Sequence, residues 1–184
     1  MKPVLSLLLA SVVLTALPAL KAAAEANEVA PGVFQIEYAK SGDWTVYRFA
    51  ADKSGQKTLR CSAVKITGSE LGLRFAIDPA AKAFTYGFMG RSSAVKQTLP
   101  VTFWFDNDRA AGTSVKAVLS KDFDGSEWLG IAGPSEPPGI DAPFKTAKKF
   151  SAAYQVDGRS YVESFPLAGS DAALKALFDC GRGQ

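Results

Sequence analysis

Four aspartates are the residues best placed to do chemistry: Asp106 and Asp108 in Asp-Asn-Asp, and Asp122 and Asp124 in Asp-Phe-Asp-Gly. Two carboxylates flanking a glycosidic bond can act as acid and base. Carboxylate clusters also hold calcium, but this one lacks the Asp-x-Asp-x-Asp-Gly-x5-Glu spacing of an EF-hand loop. Both motifs sit where turns are expected, and aspartate favours turns because its carboxylate bonds nearby amides. The sequence therefore reads them as turn residues, with a carboxylate-dependent hydrolase as the alternative. The chain has no histidine. That removes Ser-His-Asp and Cys-His catalysis, the commonest general base and the commonest metal ligand. No glycine-rich phosphate loop follows a strand and opens a helix. The sequence assigns no catalytic, cofactor-binding or metal-binding residue.

The other reactive side chains are two cysteines, Cys61 and Cys180. They form no C-x-x-C pair, and no second ligand cluster accompanies them. Their fate follows from the N-terminus. Met1-Lys2 is a positive start, Val4 to Leu20 is almost wholly apolar, and Ala22-Ala23-Ala24 offers small residues for cleavage. This is the pattern of a secretory signal, here assigned to residues 1–24. The apolar run is at the short limit for a spanning helix, so no membrane span is expected after cleavage. Export delivers the cysteines to an oxidising compartment, where they are expected to bridge. The bridge would close a loop worth roughly 4–5 kcal/mol in chain entropy.

The mature part, residues 25–184, is long enough for one domain. Of the 21 basic residues, Lys2 and Lys21 lie in the signal, leaving 19 against 18 acidic residues, a net of +1. Such balance gives no reason to expect nucleic acid as a partner.

The elements that would hold these residues are mostly strands. Trp44–Phe49, Thr58–Ile66, Ala83–Met89, Val101–Phe105, Ser114–Leu119 and Glu127–Ile131 each read as one. In Leu71–Asp78 the apolar Leu71, Leu73, Phe75 and Ile77 alternate with Gly72, Arg74, Ala76 and Asp78, which predicts one buried and one more exposed face. Residues 25–42 read as a short mixed lead-in, with a turn at Pro31-Gly32. Asp157-Gly158 predicts a type I′ hairpin joining Ala152–Val156 to Arg159–Phe165. A helix of about two turns is expected over Asp141–Phe150, resting on Phe144, Ala147 and Phe150. A second is expected at the end, capped by Ser170 and terminated by Gly181, with Ala173, Leu174, Leu177 and Phe178 as its buried stripe. The fold class is mainly β: an antiparallel sandwich or barrel with a short C-terminal helix and one more helix.

Two tryptophans stand apart. Trp104 faces opposite to Phe103 and Phe105, and Trp128 precedes the Pro/Gly-rich loop Gly133–Gly139. Trp104 and Trp128, with Pro134, Pro137 and Pro138, are the candidate partner-binding residues, because tryptophan is enriched at binding hot spots. Burial of both rings is the competing reading.

Two stretches carry a family resemblance: Trp44-Thr-Val-Tyr followed by the Cys61 strand, and the ending Phe165-Pro-Leu-Ala-Gly-Ser-Asp-Ala-Ala-Leu-Lys-Ala-Leu. With the signal and a β-rich middle, the chain resembles the invasion-associated locus B family of bacterial envelope proteins. The resemblance implies a non-enzymatic protein associated with host-cell invasion by some alphaproteobacteria. It departs from the family in that Cys61 comes well after Trp44, so no functional residue is carried over. The expectation is an exported, non-catalytic interaction module, periplasmic or secreted, with a protein partner in the envelope or host. A periplasmic inhibitor of a hydrolase such as lysozyme, acting through the Gly133–Gly139 loop, is the alternative.

Overall fold

Alternation sets the centre of the molecule. In β5 (Leu71–Asp78) Leu73, Phe75 and Ile77 point to one side, and Phe84, Tyr86 and Phe88 of β6 (Ala83–Met89) pack beside them on the same side. A computed structural model describes residues 25–68, 71–89, 98–134 and 142–183. The export segment, Pro137 and Pro138 lie outside the described residues.

The remaining strands are β1 (Ala26–Ala30), β2 (Val33–Ser41), β3 (Trp44–Ala50), β4 (Thr58–Thr67), β7 (Thr98–Phe105), β8 (Thr113–Lys121), β9 (Glu127–Pro134), β10 (Lys149–Val156) and β11 (Arg159–Pro166). They form one antiparallel sheet in the order β1-β2-β3-β4-β5-β6-β9-β8-β7-β10-β11. The mainly β antiparallel class is as expected. The sheet curls on itself like a sandwich but does not close: β1 and β11 remain edges.

β1 and β2 correct the reading of residues 25–42 as a mere lead-in. A bulge between Glu37 and Ala39 interrupts the register with β3, and it breaks the period of two that would have marked β2. The turn at Gly32 is as expected, with φ of 71°.

Helices close the core. α2 (Ser170–Gly181) buries Ala173, Leu174 and Leu177 against β2 to β5. Each buried leucine stabilises the packing by about 1.5–3 kcal/mol. Ser170 is not the cap. Gly169, at φ of 84°, takes that position, and the Ser170 hydroxyl instead donates to the Phe144 carbonyl at 2.5 Å. The helix also runs through Gly181, and the left-handed residue that follows its end is Gly183.

α1 (Ala142–Thr146) is shorter than the sequence implied. Asp106 explains the stop: its Oδ1 accepts the amides of Lys148 and Lys149 at 2.8 and 3.1 Å, while its own amide donates to the Lys149 carbonyl. Those bonds start β10, so Phe150 reaches the core from a strand. Phe144 still lies in that core, with its ring 4.8 Å from Phe75 and 5.4 Å from Phe150.

The expected bridge is present. Cys61 of β4 and Cys180 of α2 form a buried disulfide spanning a sequence separation of 119. Trp44 ties the other end of the helix: its Nε1–H donates to the Ala168 carbonyl at 3.0 Å.

The second face of β5 departs from expectation. Arg74 and Ala76 are as buried as Leu73 and Phe75. The turn between β8 and β9 folds over this face, placing Asp122 on Arg60 and Arg74 and Phe123 on Phe49.

Candidate functional site

The four aspartates are where the turns are, and each carboxylate is engaged. Asp106, at φ of 52°, holds the start of β10. Asp108 accepts the Ala111 amide at 3.2 Å and caps the single 3-10 turn Arg109–Ala111. Asp124 accepts the amide and hydroxyl of Ser126 at 2.9 and 2.6 Å. Asp122 accepts the Phe123 amide at 2.9 Å and pairs with Arg60 at 3.0 Å and with Arg74. Asp122 and Asp124 meet on Ser126, whose carbonyl accepts the Asp122 amide at 2.9 Å while its amide and hydroxyl donate to Asp124, and this closes the β8–β9 turn. The four are organised as turn residues.

The two candidate tryptophans are buried. Trp128 is 2% exposed, and its Nε1–H donates to Ser126 Oγ at 2.7 Å. The Arg74 guanidinium lies 4.9 Å from its ring centroid. Gly72 makes room for the ring, since a Cβ there would come within 3.2 Å of it. Trp104 is 8% exposed, with the Arg109 guanidinium 5.2 Å from its ring centroid. Pro134 ends β9 opposite Ala83. The structure thus places Trp128 in the lock under the β8–β9 turn and Trp104 beside the 3-10 turn. They form no common surface.

That lock borders a cleft of about 240 Å³ lined by Arg60, Arg74, Asp78, Thr85, Ser120 and Lys121. Burial pulls the Arg74 guanidinium below its ordinary value, and the Asp122 charge opposes that pull. Lys121 pairs with Glu127 at 3.3 Å. Two guanidiniums, Arg60 and Arg74, share the one Asp122 carboxylate, and the cluster fastens the hairpin to the sheet.

The chain matches no family model, no curated protein and no solved structure. Function must therefore be argued from what the fold leaves open.

The open feature is the outer edge of β11, which among the described residues pairs with β10 alone. The Leu167 amide donates to the Lys148 carbonyl at 2.8 Å. With Phe165 opposite Phe150, Glu163 opposite Ala152 and Tyr161 opposite Tyr154, the antiparallel period turns those three amides toward β10. The amides of Ser160, Val162 and Ser164 then point to the free edge. Val162 is 54% exposed, which is unusual for a large apolar side chain on a row of unpaired backbone groups. The other edge, β1, is five residues long and its pairing is interrupted by a bulge. Sequence reasoning found β11 as half of a hairpin but carried no signal that nothing pairs beyond it. The edge status comes only from the strand order.

Proposed function

We propose that this chain is an exported, non-catalytic envelope protein that acts as an interaction module, receiving an extended segment of a protein partner along the free edge of β11. The observation that carries the reading is the eight-residue open edge with its exposed Val162. Strand addition to such an edge gives affinity through main-chain bonds and specificity through alternate side chains. The N-terminal export pattern and the buried disulfide support placement in the periplasm or outside the cell. The resemblance to the invasion-associated locus B family supports the same setting and adds host-cell contact as the biological role. The engagement of Asp106, Asp108, Asp122 and Asp124 in local structure weighs against the carboxylate-hydrolase alternative.

In-cell photocrosslinking tests this reading. A photoreactive residue at Ser160 is expected to give a discrete protein adduct, while one at the exposed Lys175 on α2 gives none. Adducts of the same pattern from both positions would overturn it.

A further inference from the structure

We infer that the cleft on the second face of β5 binds a small aliphatic monocarboxylate, anchored on the Arg74 guanidinium with Arg60 beside it. The cleft has a volume of about 240 Å³. Drug-sized molecules occupy sites of roughly 300–1,000 Å³, so the occupant here is smaller.

The pointer to a ligand is Arg74. Its side chain is 5% exposed and lines the cleft, and its Nη1 donates to Asp122. Its Nε is buried and has no hydrogen-bond partner among the described residues. A guanidinium carries donors only, so what it lacks is an acceptor. A buried charged donor left unmatched is costly, and native folds keep few of them. Arg60 lines the same cleft and draws on the same Asp122 carboxylate at 3.0 Å. Two guanidiniums therefore share one carboxylate, and a second carboxylate is the acceptor whose paired oxygens match such a fork.

The other walls set the charge and shape of the occupant. Lys121 is already paired with Glu127 at 3.3 Å. Asp78 lines the cleft further along β5, with its carboxylate on the Ala81 amide at 2.9 Å. Its charge disfavours a dianion. The floor is small and apolar. Ala76 lies opposite Thr85 across β5 and β6, and Gly130 lies opposite Val118 across β9 and β8. A Cβ on Gly130 would meet nothing closer than Ser120 Oγ at 3.6 Å, so the cleft is open above it. Val118, 51% exposed, offers an apolar wall. A short hydrocarbon tail fits that floor while its carboxylate meets Arg74. The site is built on β4, β5, β6, β8 and β9 and does not involve the β11 edge.

Butyrate is the probe, titrated into the oxidised protein at constant ionic strength while the Arg74 Nε–H resonance is followed by NMR. Butyramide is the neutral isostere, and phosphate is the competitor of higher charge. A saturable shift is expected with butyrate and none with butyramide. Arg60→Gln should weaken butyrate about tenfold. Gly130→Val, shown to be folded by its melt, should weaken it at least about tenfold by filling the floor. The wild-type titration decides the matter by itself if Gly130→Val does not fold. An Arg74 resonance that butyrate does not move saturably, an equal response to butyramide, tighter binding of phosphate, or undiminished binding in folded Gly130→Val would overturn the proposal.

Discussion

The Arg74 guanidinium meets the Asp122 carboxylate 48 residues along the chain, with side-chain exposures of 5% and 4%. This contact joins the β8–β9 turn to the second face of β5. It turns what would be the wet side of a sheet into a second packed layer with Trp128, Phe49 and Phe123.

Removing one partner of a buried pair strands the other. Asp122→Ala is expected to cost about 3–5 kcal/mol, read from urea unfolding, because Arg74 stays buried without its counter-charge. The double variant Arg74→Met/Asp122→Leu should recover most of that loss, since replacing a whole buried pair by apolar groups is often neutral. Arg60, with 27% side-chain exposure, can turn to water in both variants.

The disulfide acts on the unfolded chain. With a sequence separation of 119 between Cys61 and Cys180, the Cys61→Ser/Cys180→Ser variant is expected to lose roughly 4–5 kcal/mol by the chain-entropy estimate. Chemical denaturation under oxidising and reducing conditions checks it. The reduced wild type should match the double variant.

Gly169→Ala should destabilise by about 1–2 kcal/mol from the left-handed backbone alone. The residue sits at φ of 84°, and a Cβ would lie 3.1 Å from the Ser41 carbonyl oxygen and 3.2 Å from Trp44 Cδ1. Thermal melts of Gly169→Ala beside the exposed-turn control Gly125→Ala separate the two causes. Gly125 is also left-handed, at φ of 82°, but has nothing within 4 Å. The Gly169 variant should be the less stable of the two.

Tyr86 gives the alkaline limb. Burial raises it from 10.0 to about 12, so the unfolded chain loses this proton first. Stability from this group is fully present below pH 10.0 and is lost as pH rises toward about 12. Absorbance titration of the native protein should show one tyrosine ionising last. Tyr86→Phe should remove that step and flatten the fall in unfolding midpoint over the same window.

Much of this architecture was legible in the chain. The limits of β5 and β6 follow from their alternation and, for β5, from Pro79 just after its end. The Asp157-Gly158 turn has both residues at positive φ, 49° and 76°, as its sequence demands. What stayed hidden depends on distant partners. Arg74 at a polar strand position reads as solvent-facing until Asp122 arrives from another hairpin. Ser170 reads as a helix cap until the Phe144 carbonyl claims its hydroxyl. Trp104 and Trp128 read as packing first and as anchors second, and the cations that lie beside the buried rings, Arg109 and Arg74, approach through the fold.

The central claim is that the free edge of β11 is the interaction surface. Its most direct test is the in-cell photocrosslink from Ser160 in a Val162→Pro background, with Val162→Thr as the control. Proline at this position removes an amide that points away from β10, so the β10–β11 ladder and the thermal melt should survive. The account predicts a native melting curve with the adduct lost in Val162→Pro and kept in Val162→Thr. An undiminished adduct in a folded Val162→Pro protein would contradict it.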